Sequence, residues 1–299
     1  MKTKPMTTAA NEPKSNPLEQ RYLDLIVEPS SENSTVWIVT LNRPRKRNAL
    51  NANLWREIGK VFNDLSNEVD CRCVLLSGAG QSFCAGIDIS DDSIILINDE
   101  ADVARRVMSF QSKIMEMQAA FTSLEICRAP VVVAMHGHCI GAGLDLACCA
   151  DIRLCCQDTI FSVKEVQLGL AADVGVLQRL PKLVGGASSR VRELCFTGQN
   201  FVSHEACKMG LVSGIATTHS QLMDMAMKIC VKIAQNSPVA VSGTKLSLNY
   251  SRDHSIDQGL SHIATHNSFA LITDDLMISA MKMRDASLSF APLLPPSKL

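Results

Sequence analysis

Val131-Val132-Val133-Ala134-Met135-His136-Gly137-His138-Cys139-Ile140-Gly141-Ala142-Gly143-Leu144-Asp145 is the stretch from which the rest of the chain can be read. Its first five residues form the most β-prone run in the sequence, because branched side chains suit an extended, pleated backbone. Pro130 introduces the run, and Gly137, Gly141 and Gly143 punctuate the entry into a short apolar helix predicted over Leu144 to Cys149. A strand that feeds a glycine-rich helix start presents unpaired N–H groups, and these favour anionic oxygen through hydrogen bonds and the helix dipole. The spacing G-x-x-x-G-x-G is not the G-x-G-x-x-G of a dinucleotide site, and no Gly-Lys-Ser/Thr follows to make a phosphate loop. An NAD-linked oxidoreductase is therefore not expected.

Outward from this stretch, strand and helix patterns alternate. Val36 to Leu41 reads as a strand ended by a turn at Pro44, and Asn51 to Leu65 as a helix with Leu54, Ile58, Val61, Phe62 and Leu65 on one face. Cys73 to Leu76 is a second strand, running into Ser77-Gly78-Ala79-Gly80, and Asp102 to Ile126 has helical spacing. Ile152 to Cys155 reads as another strand and Ile160 to Val163 as a further apolar segment. From Val176 the pattern turns mainly helical, with Ser237-Pro238 as punctuation and largely helical spacing over Ile256 to Met283. Such alternation predicts an α/β core.

The 299 residues are 46% hydrophobic and 20% charged, the composition of a globular protein with ample chain for a large core. Lys and Arg total 29 against 30 for Asp and Glu, so no basic field recommends nucleic acid or an anionic membrane as partner. The twelve cysteines lie within apolar runs rather than at the spacing of a disulfide framework, and read as reduced core residues of an intracellular protein. Ala129 to Ala150 is apolar, but Pro130, its glycines and Asp145 argue against a membrane span. Met1 to Gln20 is polar and aperiodic, with lysines but no arginine before Arg21, which makes a poor mitochondrial transit peptide and suggests a disordered tail. The chain finishes Pro295-Pro296-Ser297-Lys298-Leu299, and a terminal Ser-Lys-Leu is the tripeptide read by the peroxisomal import receptor, so a peroxisomal address is expected.

Candidate chemistry lies in carboxylates set among apolar residues. Asp145, Glu165 and Asp173 each have surroundings that would raise a pKa by desolvation and suit the group to proton transfer near neutral pH. The plain alternatives are a surface acid for Glu165 and, for Asp173, an N-cap of a helix starting near Val174. Arg43-Pro44-Arg45-Lys46-Arg47 places four cations in five positions at a turn, suited either to solvent or to an organic phosphate. His136, His138 and Cys139 do not make a convincing metal site, since alternate strand residues point to opposite faces; no metal is expected.

In these residues the chain resembles the enoyl-CoA hydratase/isomerase (crotonase) superfamily over roughly Trp37 to Pro292. Leu41-Asn42-Arg43-Pro44 with Asn48-Ala49-Leu50, Phe83-Cys84-Ala85-Gly86-Ile87-Asp88, and Gly137 to Asp145 followed by Asp151-Ile152-Arg153 carry the resemblance in the family's order. It implies a core spiral of β-β-α turns with a C-terminal helical trimerisation region, and a homo-oligomer that is a trimer or a dimer of trimers. On this basis residues 1–28 are assigned to the tail, 29–235 to the spiral core, 236–291 to the helical region and 292–299 to an extended tail with the targeting signal. The backbone N–H groups of Ile87 and Ala142 are the implied oxyanion hole. Arg47, Ala49, Ala85, Gly86, Ile87, Asp88, Ile89 and Ala142 are the implied acyl-CoA contacts.

Within the family, the chain is most similar to the dienoyl-CoA isomerase branch, through Val163-Lys164-Glu165-Val166, Gly169 to Gly175 and Leu177-Gln178-Arg179-Leu180-Pro181. The three acids of that branch match Asp145, Glu165 and Asp173, while hydratases carry glutamates at the positions of Asp145 and Glu165. The implied activity is conversion of a 3,5-dienoyl-CoA to the 2,4-isomer by moving a proton from C2 to C6. Coenzyme A then arrives as part of the substrate, with no separate cofactor. A 2-enoyl-CoA hydratase or a Δ3-Δ2-enoyl-CoA isomerase on the same scaffold is the nearest alternative, and a non-catalytic acyl-CoA-binding protein the alternative of another class.

Overall fold

The computed structural model describes residue 18 and residues 21–91, 102–185, 188–282, 285 and 287–294. The assigned targeting tripeptide, Ser297 to Leu299, and most of the assigned N-terminal tail lie outside these residues. In chain order the elements are β1 (Leu25–Pro29), β2 (Val36–Leu41), α1 (Ala52–Asn67), β3 (Cys73–Gly78), α2 (Val103–Ile126), β4 (Val131–Met135), β5 (His138–Ile140) and α3 (Ala142–Cys148). They continue through β6 (Ile152–Cys156), β7 (Ile160–Ser162), α4 (Val176–Leu183), α5 (Ser188–Thr197), β8 (Phe201–Val202), α6 (Ser203–Lys208) and β9 (Gly214–Ala216). Helices α7 (His219–Ala234), α8 (Pro238–Ser251), α9 (Ile256–Ala270) and α10 (Asp275–Lys282) follow.

The strands β3, β4 and β6 lack the apolar/polar alternation of a half-exposed sheet because both their faces are covered. They sit in a six-stranded sheet of order β1-β2-β3-β4-β6-β9, parallel throughout except where β1 pairs antiparallel with β2. One face, carrying Val74, Leu76, Val131 and Val133, belongs to the core shared with α1, α3 and the C-terminal end of α2. The other face, carrying Cys73, Leu75, Val132 and Leu154, packs against Leu222, Ala226, Met227 and Cys230 of α7. Helix α1 buries the apolar face that its spacing predicts, and Trp55 stacks on Phe121 of α2 at 4.7 Å between ring centres.

A second, three-stranded sheet of order β5-β7-β8 turns this layered core into a spiral. After β4 the chain crosses to β5 and then forms α3; after β6 it crosses to β7 and then forms a 3₁₀ turn at Glu165–Leu168. The turn after β3 does the same in miniature, because Cys84 bridges Cys139 of β5 in parallel, and Cys139 in turn pairs with Phe161 of β7. These three fully buried residues thus stack as one rung across successive turns of the spiral.

One difference from the sequence reading has a physical cause. The boundary at residue 28 falls inside β1, whose pairing runs from Leu25↔Leu41 to Pro29↔Trp37, so residues 21–28 belong to the fold. A five-residue edge strand ending in proline carries little signal alone and is defined by its partner; Glu57 of α1 also holds the amides of Leu23 and Asp24, at 2.7 and 2.9 Å. As the sequence predicts, the region after Val176 is mainly helical, and its two short strands, β8 and β9, each complete a sheet edge. The helical spacing over Ile256 to Met283 resolves into α9 and α10. Among the described residues no helix is long and apolar enough to cross a membrane, and no group of His, Cys, Asp or Glu could hold a metal ion. All twelve cysteines are free, and all but Cys195 and Cys207 are buried.

Lys245 ties α8 to the core. Its buried ammonium donates to the carbonyls of Leu124 at 2.9 Å and Ala129 at 3.2 Å and pairs with Asp151 at 2.7 Å, while Asp151 accepts the Val131 amide at 2.7 Å. Removing one member of such a pair leaves the other groups desolvated and unpaired. Lys245→Ala should therefore cost about 3 kcal/mol of unfolding free energy, read as a lower midpoint in denaturant titration.

Candidate active site

The Cys84–Cys139–Phe161 rung sets what stands beyond it. Three residues past Cys84 the chain reaches Ile87, three past Cys139 it reaches Ala142, and four past Phe161 it reaches Glu165. Strands in parallel register deliver the ends of successive turns side by side, so segments far apart in sequence converge at one end of the small sheet. Hydrogen bonds fix each end. Leu50 donates its amide to the Gly86 carbonyl at 2.8 Å and accepts that of Asp88 at 2.9 Å; Gly141 donates to Ser162 at 2.8 Å. The two turns approach closely: a Cβ on Gly86 would stand 3.0 Å from the Ile140 oxygen and 3.9 Å from the Ala142 nitrogen. Neither the Ile87 nor the Ala142 amide donates to an acceptor among the described residues, and Ala142 opens α3, where helix geometry leaves N–H groups unpaired.

Ile87 and Ala142 both line a cavity of about 250 Å³, whose wall also includes Glu165 and Asp173. Its remaining surface is largely apolar, with Trp55 from α1, Met117 from α2, and Leu168, Leu170 and Val174 from the segment around the 3₁₀ turn. Glu165 is buried, and its Oε1 would lie 3.2 Å from a Cβ on Gly141, which places the carboxyl next to the Ala142 amide. Burial raises its pKa, although a backbone hydrogen bond and Asp145 oppose the shift. Asp173 stands at the exposed rim of the cavity, and partial burial raises its carboxyl as well. It is not a helix N-cap, because α4 begins at Val176 with Gly175 as its cap.

Asp145 lies behind this wall rather than on it. It is fully buried in α3, and its Oδ1 accepts the Val176 amide at 2.6 Å. Burial and then the charge of Glu165 push its carboxyl well above the usual aspartate range. The second oxygens, Asp145 Oδ2 and Glu165 Oε2, are buried without a hydrogen-bond partner among the described residues. Burial next to a second carboxyl disfavours the charged form of Asp145.

The implied acyl-CoA contacts divide. Ala85, Gly86, Ile87, Ile89 and Ala142 line the cavity; Arg47, Ala49 and Asp88 do not. Asp88 is held by the Ser90 hydroxyl at 2.6 Å and by Arg43 at 2.9 Å, which keep its carboxyl below the usual range. Arg43 is therefore committed to Asp88 and to the Ala49 carbonyl, and of the basic turn Arg45 and Arg47 stand exposed. Ala49 is buried. Trp55, Met117 and Lys164 are lining residues that the sequence reading did not single out. The first two sit in ordinary amphipathic helices and carry no local mark of a site; Lys164, beside Glu165, has its ammonium 3.5 Å from the Gly198 carbonyl.

Comparison with known proteins places the chain in a family. The family model described as Enoyl-CoA hydratase/isomerase matches residues 31–269. A Mus musculus protein named Delta(3,5)-Delta(2,4)-dienoyl-CoA isomerase, mitochondrial, is 43% identical over 89% of this chain and 83% of its own. An Arabidopsis thaliana protein named as the peroxisomal form is 41% identical over 89% of this chain and 96% of its own. Among solved structures, a putative enoyl-CoA hydratase from Thermobifida fusca, in complex with acetoacetyl-CoA, superposes with a TM-score of 0.72 at 25% identity, covering 83% of this chain and 94% of that one. A spiral core and a family match that runs through both sheets and on into α9 lead to one conclusion: the chain belongs to the enoyl-CoA hydratase/isomerase (crotonase) family.

Proposed function

We propose that the protein is a Δ3,5-Δ2,4-dienoyl-CoA isomerase, in keeping with the names of its Mus musculus and Arabidopsis thaliana relatives. The observation that carries this reading is the pair Glu165 and Asp173 on one apolar cavity wall, with the amides of Ile87 and Ala142 on the same cavity. A thioester oxygen bound by the two amides would be stabilised as negative charge develops on it, and one donor of this kind contributes on the order of 3 kcal/mol in comparable enzymes. Glu165, next to the Ala142 amide, is suited to take a proton from C2. The resulting electron pair spreads from the enolate oxygen to C6, where Asp173, farther along the wall, donates a proton. The 3,5-diene becomes the 2,4-diene, and the two carboxyls exchange protonation states before the next turnover.

Hydration would need a water held between two acids. Asp145 is poorly placed for that, being behind the wall with one oxygen committed to the Val176 amide. In this reading its part is to hold that amide and tune Glu165. Moving a proton is redox-neutral, so the reading assigns no cofactor beyond the coenzyme A of the substrate, whose binding is supported by the acetoacetyl-CoA complex of the Thermobifida fusca relative. Assembly as a trimer or dimer of trimers is supported by the apolar residues that α8 and α9 leave exposed, Leu248, Ile256, Leu260 and Phe269 among them. A peroxisomal location is supported by Ser297-Lys298-Leu299 and by the name of the Arabidopsis thaliana relative, with import-receptor recognition of that tripeptide as part of the same reading.

Offered a 3,5-dienoyl-CoA, the purified protein should generate the ultraviolet absorbance of a conjugated 2,4-dienoyl thioester, and should add water to a 2-enoyl-CoA only slowly. Asp173→Asn should reduce the first activity by at least about a hundredfold, as loss of a general acid does; a variant retaining the full rate would overturn the assignment. The pH profile supplies a separate check. Glu165 must be ionised to act as a base, and burial raises its carboxyl, so kcat/KM should fall on the acid side with a midpoint above the ordinary value of 4.5.

A further inference from the structure

Asp173 belongs to no helix or strand. It lies in the segment between the 3₁₀ turn that ends at Leu168 and α4 at Val176. That segment is held by polar groups outside the acid cavity. Gln118 of α2 donates Nε2 to the Asp173 carbonyl at 2.6 Å, and Arg179 of α4 directs Nη1 at the Val174 carbonyl at 3.4 Å. The guanidinium lies close against the chain here: a Cβ on Gly175, where φ is +131°, would stand 1.8 Å from Arg179 Nη1, so only glycine leaves room for it. The other end of the guanidinium is fixed to α2, with Nη2 donating to Thr122 Oγ1 at 3.0 Å and Glu125 Oε2 at 2.7 Å. Arg252, the C-cap residue just past α8, closes the network by donating to Glu125 Oε1 at 2.5 Å. The Arg179 and Glu125 side chains are 13% and 9% exposed, so this is a desolvated pair rather than a surface one.

The network lines a second cavity, of about 370 Å³, bounded by Gln118, Glu125, Val174, Gly175, Arg179 and Arg252. Val174 lines this cavity and the acid cavity alike, so the strip of chain that carries Asp173 separates the two. Ala172 and Val174 are buried in the core on either side of Asp173, whereas Asp173 itself is exposed, so the hydrogen bonds to the carbonyls of residues 173 and 174 are what orient the peptide groups between these two anchors.

We propose that Arg179, braced by Glu125, is a positioning residue that fixes Asp173 on the wall of the acid cavity. The inference rests on the isomerase reading, since it concerns the acid that reading assigns to C6. Arg179 touches no reacting atom; it acts through the backbone of residues 174 and 175. A planar guanidinium can hold Thr122, Glu125 and the Val174 carbonyl together, whereas an ammonium presents a single point of charge.

The test is a double-mutant cycle on the full-length protein with a 3,5-dienoyl-CoA. Arg179→Met alone should lower kcat by on the order of 10- to 100-fold, the effect of displacing a reacting group by about an ångström, while KM changes little. Arg179→Lys should recover only part of the rate. Added to Asp173→Asn, Arg179→Met should change the residual rate by less than about twofold, because the group it positions is already disabled. A purely structural role predicts losses that multiply, so multiplied losses overturn the proposal, as does an Arg179→Met enzyme with unchanged kcat. Should Arg179→Met fail to fold, Gln118→Leu tests the same segment without altering charge, and the same non-multiplying pattern is expected. Failure of the parent enzyme to isomerise the diene would sink the isomerase reading, whereas an active parent with multiplying losses sinks the positioning role alone.

Discussion

The site depends on the parallel register of one short ladder. Because Cys84, Cys139 and Phe161 share a rung, the chain following each of them emerges at the same level, and the amides of Ile87 and Ala142 meet without any side chain to steer them. Shifting a strand by one residue would turn every side chain over and move the amide by more than 3 Å, far beyond what a hydrogen bond to a developing oxyanion tolerates. The rung also lies deep in the core: all three residues are fully buried, and Phe161 stacks on Phe201 of β8 at 5.3 Å. The main-chain geometry needed for chemistry is thus held by the same contacts that hold the fold.

The acids draw on that rigidity in unequal ways. Asp145 is sealed in α3 and satisfied on one oxygen only, an arrangement that works against folding at neutral pH. A carboxyl whose folded pKa lies above its unfolded one binds its proton more tightly in the native state. Its stabilising contribution is therefore full below the unfolded value near 3.8 and is lost as pH rises through the folded value. Glu165 carries the same sign more weakly, since a backbone hydrogen bond and Asp145 oppose the effect of burial. Two raised carboxyls near two unpaired amides, Glu165 on the cavity wall and Asp145 behind it, form a polar cluster inside an apolar core, the kind of local cost that accompanies proton-transfer sites.

Much of this was legible in the sequence, and the reasons differ from element to element. The strand Val131–Met135 and the glycines after it could be read directly, because branched residues and chain turns leave local marks. The face of α1 was legible from its spacing. β1 was not, because its identity lies in its pairing with β2 rather than in its own five residues. At the site, Ile87, Ala142, Glu165 and Asp173 were named from motif order, and they line one cavity. The motif could not show that Asp145 stands behind the wall, nor that Arg43 is committed to Asp88, because both facts arise from contacts between residues more than thirty positions apart. Trp55 and Met117 escaped notice for a related reason: a helix face toward a cavity has the same periodicity as a helix face toward a core.

The site therefore combines two kinds of support with different consequences. The amides of Ile87 and Ala142 stand just past a sheet rung and at a helix start, elements that cannot move without disrupting the core. Asp173 stands on a strip of irregular chain flanked by two cavities and tied by Gln118, Arg179 and, at Val176, the Asp145 carboxyl. Stabilising an enolate-like oxygen is common to many reactions of a thioester, whereas the destination of the proton distinguishes one reaction from another. A scaffold that fixes the first by its ladder and leaves the second to a tethered segment can change its reaction by changing a few residues of that segment and its tethers. On physical grounds, the residues that decide which reaction is run should be sought around 169–179 and in the α2 face that holds them, and not among the glycines of the two turns that carry the amides.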